Sequence, residues 1–396
     1  MSSGPGPDRS ALMRTYAEPA VTLVRGRGSE VFDSEGRRYL DFIAGIAVVS
    51  LGHSHPRVAA AIAAQAQTLS HVSNLFGNAV GPEVALELDR LVGDGAPAGG
   101  QVFLANSGAE ANECAIKLAR KHGGGRRFVV VSAWESFHGR TLATLHATGQ
   151  KAKHAPFEPM PEGFVHVPYD EEAALESALR DERVAAVLLE PIQGEAGVIE
   201  PKPGYLRAAR ELCTQHGALL MLDEIQTGLG RTGRWFGFHH AGVLPDVVTV
   251  AKALGNGMPI GACWARREVA DSFLPGDHGS TFGGQPLASA AALATLATMV
   301  ELDVPATAAK SGERLRAAID GIAGVAGVRG RGLLLGVELD EGLEAPAVVA
   351  RSLARGLLVN APRHDTIRLA PPLLVSTGEI DQAASILASS IAEVQA

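Results

Sequence analysis

The stretch ALLMLDEIQTG, residues 218–228, runs from an apolar segment directly into two acids and a glycine turn. A second stretch of the same kind, PDVVTVAKALGNG at residues 245–257, ends its apolar run at Lys252 and another glycine-rich turn. Short apolar runs that are bounded by turns are typical of strands buried on both faces. The two stretches therefore predict strands of a parallel sheet, with Asp223 and Lys252 at the same carboxyl edge.

The same alternation of apolar strands and amphipathic helices continues on both sides of these stretches. Between residues 101 and 251 we predict strand 101–105, helix 109–121, strands 127–132 and 184–190, helix 204–216, and strands 218–222 and 246–251. Strands that alternate with helices indicate the α/β class, with a mainly parallel sheet that helices cover on both faces.

The two ends of the chain follow other patterns. In the N-terminal part we predict a hairpin at residues 30–42 and helices at 56–72 and 82–92. Beyond residue 286 we predict a long Ala-rich helix, helix 307–320, strands near 333–339, 356–359 and 366–369, and helix 378–393. We therefore expect a large domain at residues 61–285 and a smaller α+β domain at residues 286–396. The N-terminal segment, residues 1–60, is expected to contribute to the smaller domain.

Composition excludes several classes of partner. The 396 residues are 46% hydrophobic and 20% charged, and the formal net charge of −8 disfavours nucleic acid and anionic membranes. Cys114, Cys213 and Cys263 have the spacing of neither a disulfide framework nor a metal site, so we expect a reducing compartment and no metal. The polar start, Met1–Ser10, and the lack of a long apolar run favour a cytoplasmic protein that does not enter a membrane.

A small-molecule site is indicated where three segments meet the carboxyl edge of the predicted sheet. The residues Ser107, Gly108 and Ala109 follow a strand and open a helix, where free amides and the helix dipole favour a phosphate. Ser107 also suits a purely structural helix cap. Asp223 suits a metal, a helix cap or the protonated nitrogen of a pyridine ring.

Lys252 completes this set. An amine that follows an apolar strand and precedes a glycine turn can be desolvated enough to act as a nucleophile, although most loop lysines are solvated. A phosphate site, an acid and a nucleophilic lysine on one sheet edge together predict pyridoxal phosphate as the cofactor.

Six segments in order along the chain resemble the class III, ornithine-type, aminotransferases, and the resemblance extends from about residue 16 to 391. These segments are SGA (107–109), FHGRT (137–141), EPIQGE (190–195), LDEIQTG (222–228), AK (251–252) and GSTFGG (279–284). The resemblance implies the type I fold of pyridoxal-phosphate-dependent transferases, with a large domain built on a mainly parallel seven-stranded sheet. It also implies a homodimer with each active site at the subunit interface.

Cofactor roles follow from the resemblance, residue by residue. Lys252 is expected to bond covalently to the cofactor and to move a proton during the reaction, and Asp223 is expected to pair with the pyridine nitrogen. The remaining residues expected near the cofactor are Ser107, Gly108, Ala109, Phe137, His138, Glu190, Gln226 and, from the partner subunit, Thr281. His138 and Glu190 have equally plain structural interpretations, as a loop residue and as a strand-end contact.

Substrate roles follow in the same way. The resemblance implies that Arg140 binds a substrate carboxylate and that Ser280 contacts the acylated substrate from the neighbouring subunit. It implies that Glu195 and Arg368 form a movable ion pair, because an ω-amine donor lacks the carboxylate that glutamate carries on its reacting carbon. The alternative for this pair is a permanent structural salt bridge.

Three further segments are similar to N-acetylornithine aminotransferases: YLDFIAGIAV (39–48), LGHSHP (51–56) and HVSNLF (71–76). They imply transfer of the terminal amino group of N2-acetyl-L-ornithine to 2-oxoglutarate in arginine biosynthesis. Gly77 and Val49 depart from that pattern and leave the donor open, with ornithine, succinylornithine, 4-aminobutyrate and lysine as alternatives. A catalytically silent pyridoxal-phosphate-binding regulator is a further alternative, against which the intact lysine, acid and arginine set argues.

Overall fold

A computed structural model describes residues 11–396, and its elements are numbered here along the chain. The strands are β1 Leu23–Arg27, β2 Glu30–Asp33, β3 Arg38–Asp41, β4 Gly100–Ala105, β5 Val129–Ala133, β6 Phe164–Val167, β7 Val184–Leu189, β8 Leu219–Asp223, β9 Val247–Val250, β10 Gly261–Arg266, β11 Val325–Arg331, β12 Leu334–Leu339, β13 Leu357–Leu358, β14 Asn360–Arg363 and β15 Thr366–Leu369. The helices are α1 Ala44–Ala47, α2 Pro56–Thr68, α3 Val80–Val92, α4 Gly108–His122, α5 Leu142–Ala147, α6 Lys151–His154, α7 Glu172–Leu179, α8 Tyr205–His216, α9 Arg267–Ala270, α10 Pro286–Glu301, α11 Val304–Ile319, α12 Ala345–Ala354 and α13 Thr377–Gln395.

The central sheet has seven strands in the order β4-β10-β9-β8-β7-β5-β6. Strands β6, β5, β7, β8 and β9 pair in parallel, and β10 runs antiparallel to both of its neighbours. The predicted α/β class and the mainly parallel seven-stranded sheet are thus confirmed. Five of the seven strands are found close to their predicted positions, whereas the sequence patterns missed β6 and β10.

Helices cover both faces of this sheet, as the apolar runs predict. In β8, Leu220 and Leu222 point into one hydrophobic core, and Met221 between them points into the other. Helix α4 contributes Cys114 to the core that Met221 enters, and α8 contributes Cys213 to the opposite core. Because successive strand residues alternate between two buried faces, a polar side chain finds an open position only where a strand ends.

The two ends of the chain meet in a second sheet of order β1-β2-β3-β13, in which β13 pairs in parallel with β3. The C-terminal strands form a third, antiparallel sheet of order β11-β12-β15-β14. The shared sheet supports our proposal that residues 1–60 contribute to a smaller domain whose main part is residues 286–396, beside a large domain at 61–285.

The sequence predicts neither a secretory leader nor a membrane-spanning helix. The polar start, Met1–Ser10, lies outside the described residues. Across residues 11–396, no single helix is long and apolar enough to cross a bilayer; α10 and α11 meet that criterion only as a pair, bent by 68°.

Candidate active site

A cavity of about 450 Å³ opens at the carboxyl edge of the central sheet, where β4, β5, β7, β8 and β9 end. Most residues that the sequence singled out lie in its wall: Ser107, Gly108, Ala109, Phe137, His138, Arg140, Glu190, Asp223, Gln226 and Lys252. Parallel strands bring these distant segments to one edge.

The turn between β4 and α4 forms one end of the cavity. Ser107 has an extended backbone, and its Oγ accepts a hydrogen bond from Glu110 N at 3.2 Å, so this serine is the N-cap of α4. A β-carbon on Gly108 would lie 2.7 Å from Ile225 Cδ1, so a larger residue here would require the Ile225 side chain to move. The first amides of α4, which have no acceptor within the helix, therefore face the cavity and suit an anion.

Asp223 is buried at the end of β8 and is held by three donors. Its Oδ2 lies 2.8 Å from His138 Nδ1 and accepts a hydrogen bond from Asn112 Nδ2, also at 2.8 Å. Its Oδ1 accepts from Ile225 N at 3.0 Å. These contacts fix the orientation of the Asp223 carboxyl group, which suits it to hold a protonated ring nitrogen.

Sequence reasoning missed Asn112. This residue lies one turn after Gly108 on the buried face of α4, and Thr249 Oγ1 donates to its Oδ1 at 2.7 Å. Thr249 thereby orients the amide so that its NH₂ points at Asp223. A polar residue on an otherwise apolar helix face was the signal that could have identified it.

Lys252 follows β9 and has a left-handed backbone, with a φ of 41°. Burial lowers the pKa of its amine to about 8; the cation of Arg368 adds to this effect, and the carboxylates of Glu195 and Asp223 oppose it. The amine is therefore partly uncharged near neutral pH, as a nucleophile and proton carrier must be.

Glu190, at the end of β7, supports the loop that carries Phe137. Its Oε2 accepts a hydrogen bond from Phe137 N at 3.0 Å. Burial, reinforced by the charge of Asp223, raises the pKa of Glu190 well above its usual range. Phe137 consequently presents its ring to the cavity from a fixed backbone position.

Arg368, on β15, is fully buried and reaches the cavity through Gln226. Its Nη1 donates to Glu195 Oε1 at 2.5 Å and to Gln226 Oε1 at 3.0 Å, and its Nε donates to Asn360 Oδ1 at 3.2 Å. Burial alone would raise the pKa of Glu195, but the charge and hydrogen bond of Arg368 lower it. The ion pair thus lies behind Gln226, and neither Glu195 nor Arg368 is itself part of the cavity wall.

Ser280 and Thr281 occupy a different position. They line a neighbouring surface groove of about 1150 Å³ together with Leu75, Phe76 and Gly77. Ser280 Oγ accepts a hydrogen bond from Asn106 Nδ2 at 3.0 Å, and Asn106 belongs to the cavity wall. Neither Ser280 nor Thr281 is part of the cavity lining, so the structure does not bring these two predicted residues together with the others.

The two residues that depart from the N-acetylornithine pattern lie in different surroundings. A β-carbon on Gly77 would meet open space, whereas one on Gly257 would lie 3.6 Å from Val49 Cγ1. Val49 therefore packs against the turn that follows Lys252. Gly77 lies on the outer groove.

The chain is similar to known proteins over nearly its whole length. The sequence model of the family described as Aminotransferase class-III matches residues 12–391. The acetylornithine aminotransferase of Corynebacterium efficiens is 48% identical over 97% of this chain and 96% of that protein. The acetylornithine aminotransferase of Caldanaerobacter subterraneus is 47% identical over 98% of this chain and 99% of that protein.

Solved structures share the fold. The ornithine aminotransferase of Toxoplasma gondii, whose active site holds PLP at partial occupancy, superposes with a TM-score of 0.92 at 37% identity over 98% of this chain and 93% of that one. The acetylornithine aminotransferase of Elizabethkingia anophelis gives a TM-score of 0.83 at 34% identity over 96% of each chain. With the family model and these relatives spanning nearly its whole length, the chain belongs to the class III aminotransferases.

Proposed function

We propose that this protein is an acetylornithine aminotransferase of arginine biosynthesis. It moves the terminal amino group of N2-acetyl-L-ornithine to 2-oxoglutarate, which gives N-acetyl-L-glutamate 5-semialdehyde and L-glutamate. The observation that carries the proposal is one cavity whose wall joins a partly neutral lysine, a fixed acid, an anion-binding helix end and an open arginine. A second arginine, Arg368, lies behind Gln226 of this wall and is masked by Glu195. The relatives of about 48% identity, which bear the name acetylornithine aminotransferase, support the choice of donor.

The residues present fit pyridoxal phosphate as the cofactor. The amides at the start of α4, which Gly108 allows to approach closely, suit the phosphate, and the ring of Phe137 offers an apolar face. Asp223, with its three donors, suits the pyridine nitrogen, and Gln226 lies beside it in the cavity wall. Such a cofactor supplies an aldehyde that accepts the amino group and a ring that takes up electron density.

Lys252 performs the chemistry that the chain itself contributes. With its pKa at about 8, its amine is neutral often enough to bond to the cofactor. Once a substrate amine displaces it, the same Nζ can take a proton from the reacting carbon and return it elsewhere. Burial of the amine keeps competing water away from this step.

Two arginines meet the needs of two different substrates. The donor carries a carboxylate only at the end far from its reacting carbon, and we assign that group to Arg140, which is exposed at the cavity mouth. Glutamate and 2-oxoglutarate carry a second carboxylate beside the reacting carbon, and we assign it to Arg368. Glu195 masks Arg368 in one half-reaction and withdraws in the other.

We further propose a cytoplasmic homodimer in which a second copy of the chain completes the site. Leu75 and Phe76 expose large apolar side chains along the groove that holds Ser280 and Thr281, and the neighbouring Phe282 is also exposed. Exposed apolar residues that cluster in this way mark a surface for another protein. Thr281 would then contact the phosphate of the partner's cofactor, and Ser280 would contact its acylated substrate.

A donor panel tests the proposed function. Purified protein loaded with pyridoxal phosphate is given 2-oxoglutarate and one of N-acetylornithine, ornithine, succinylornithine, 4-aminobutyrate or lysine, and glutamate formation is followed. We expect the highest kcat/KM with N-acetylornithine. Activity confined to another ω-amine would discard the donor and the pathway, and bound cofactor without turnover on any donor would favour the silent regulator.

A further inference from the structure

A lysine outside the set chosen from the sequence lies beside Phe137. Lys153 belongs to the short helix α6, and its side chain is half-buried. Its Nζ lies 6.0 Å from the centroid of the Phe137 ring and donates a hydrogen bond to Gln150 Oε1. Phe137 forms part of the cavity wall, so this ammonium group lies at the edge of the site.

Gln150 holds Lys153 in that place. Its Nε2 donates to Ser136 O at 3.0 Å, immediately before Phe137 in the chain. Gly149 forms a bridge with Trp134, and Glu135 N donates to Gly149 O at 2.8 Å. Helix α6 is therefore anchored to the Phe137 loop at several points, and Lys153 moves with that loop.

A second cation approaches the same ring. Arg140 Cζ lies 5.6 Å from the centroid of Phe137, and its side chain is exposed at the cavity mouth. Across the described part of the chain, neither Arg140 nor Lys153 forms an ion pair with a carboxylate, unlike Arg368, which Glu195 neutralises. Burial, followed by the charge of Arg140, lowers the pKa of Lys153. The carboxylates of Glu195 and Glu135 oppose this fall in the pKa, but among the described residues neither is close enough to form an ion pair with Lys153. Two like charges are thus held near each other, and neither is paired with a carboxylate.

An anionic ligand group is the partner that this arrangement lacks. Bringing a carboxylate to the edge of Phe137 would relieve the repulsion and satisfy donors on both side chains. The guanidinium of Arg140 can bind such a group through two parallel hydrogen bonds, and the ammonium of Lys153 adds a point charge. A ligand that brings a positive charge to the same place is repelled by both.

We propose that Lys153 is a specificity-determining residue that acts with Arg140 on the carboxylate far from the reacting carbon. The inference rests on the proposed function and extends it. In N-acetylornithine that carboxylate stands beside a neutral amide, whereas in free ornithine it stands beside an ammonium group. Lys153 and Arg140 together therefore select donors whose α-amine is acylated, and they bind the distal carboxylate of 2-oxoglutarate in the second half-reaction.

The test compares Lys153→Gln with Lys151→Gln in the cofactor-loaded enzyme. Lys151 is a matched control because it belongs to the same helix, is exposed and lies 4.8 Å from the Trp134 ring, away from the cavity wall. Donors are N-acetylornithine, ornithine and 1,4-diaminobutane, which lacks a carboxylate. For Lys153→Gln we expect about a tenfold higher KM for N-acetylornithine with kcat nearly unchanged, as loss of one charge-assisted contact implies.

For the same variant we expect no rise, and a modest fall, in the KM for diaminobutane, because its far ammonium group is no longer repelled by Lys153. We also expect a smaller preference for N-acetylornithine over ornithine. Lys153→Arg should restore most of the loss, and Lys151→Gln should behave as the wild type. Equal KM changes for all three donors, or none, would overturn the proposal. The KM for 2-oxoglutarate separates the role of Lys153 from the proposed function. This KM should rise in Lys153→Gln whichever amino donor the wild type prefers, so the role of Lys153 can hold even where the proposed donor is wrong.

Discussion

Replacing Glu195 by Gln is expected to strengthen binding of 2-oxoglutarate about tenfold. A carboxylate that enters the cavity must take the place of Glu195 on Arg368 Nη1, where the present contact is 2.5 Å long. A hydrogen bond to a charged group contributes about 1.5–3 kcal/mol, and a neutral one about 0.5–1.5 kcal/mol. The difference of about 1.4 kcal/mol corresponds to a factor of about ten in affinity.

Single half-reactions provide the assay for this variant. Enzyme loaded with pyridoxal phosphate is mixed with glutamate or with N-acetylornithine, and enzyme loaded with pyridoxamine phosphate is mixed with 2-oxoglutarate. In each case the absorbance change of the bound cofactor is followed. We expect glutamate to react at lower concentrations in Glu195→Gln than in the wild type, with little gain for N-acetylornithine. The variant should therefore discriminate less between its two amino donors.

The control variant is Glu200→Gln. Glu200 also pairs with an arginine, Arg331, at 2.5 Å, but it does so on the surface, away from the cavity wall. Glu200→Gln should therefore leave the rates of both half-reactions unchanged. If Glu195→Gln weakened the binding of 2-oxoglutarate, or left it unaltered, the masking role of Glu195 would be refuted.

Three further predictions concern the cofactor end of the cavity. Lys252→Ala should bind pyridoxal phosphate, seen as absorbance that stays with the protein, yet lose transamination; normal turnover would contradict its role. Asn112→Ala should lower cofactor affinity about tenfold, because Asp223 loses one charge-assisted hydrogen bond of about 1.5–3 kcal/mol. Thr249→Val should have a smaller effect on the same affinity. Equilibrium titration of the apoprotein with cofactor would measure both changes. Since the neutral amine attacks and the pKa of Lys252 is about 8, cofactor attachment to the apoprotein should accelerate as pH rises to about 8 and then level off, and a rate independent of pH from 6 to 9 would contradict the assignment.

The sequence predicts the central sheet well where its strands are buried on both faces. Strand β7 is buried at every position, and its apolar run is plain in the sequence. Strand β6 is short and partly exposed at the sheet edge, and β10 mixes glycine, tryptophan and arginine into its run, so neither produces a clear pattern. Both strands depend on pairing with distant neighbours, which periodicity does not report.

Some residues of the site could be predicted from the sequence, and others could not. Asp223 and Lys252 could be placed at one edge because parallel strands share their carboxyl ends. The role of Asn112 could not be predicted, because it depends on contact with Asp223, 111 positions away. The place of Lys153 could not be predicted either, because it depends on how the segment between Phe137 and α6 folds. The contact of Glu195 with Arg368 joins residues 173 positions apart, and family resemblance rather than local pattern indicated it.

The surroundings of the Glu195 and Arg368 pair indicate which member moves. Arg368 is fully buried, and besides Glu195 it donates to Gln226 and Asn360. Leaving a buried charge without any partner costs about 3–5 kcal/mol, but these two neutral acceptors remain when Glu195 departs. The side chain of Glu195 is 28% exposed, so its carboxylate can exchange the ion pair for water. Glu195 is therefore the mobile member, and Arg368 stays in place to receive the carboxylate of the second substrate.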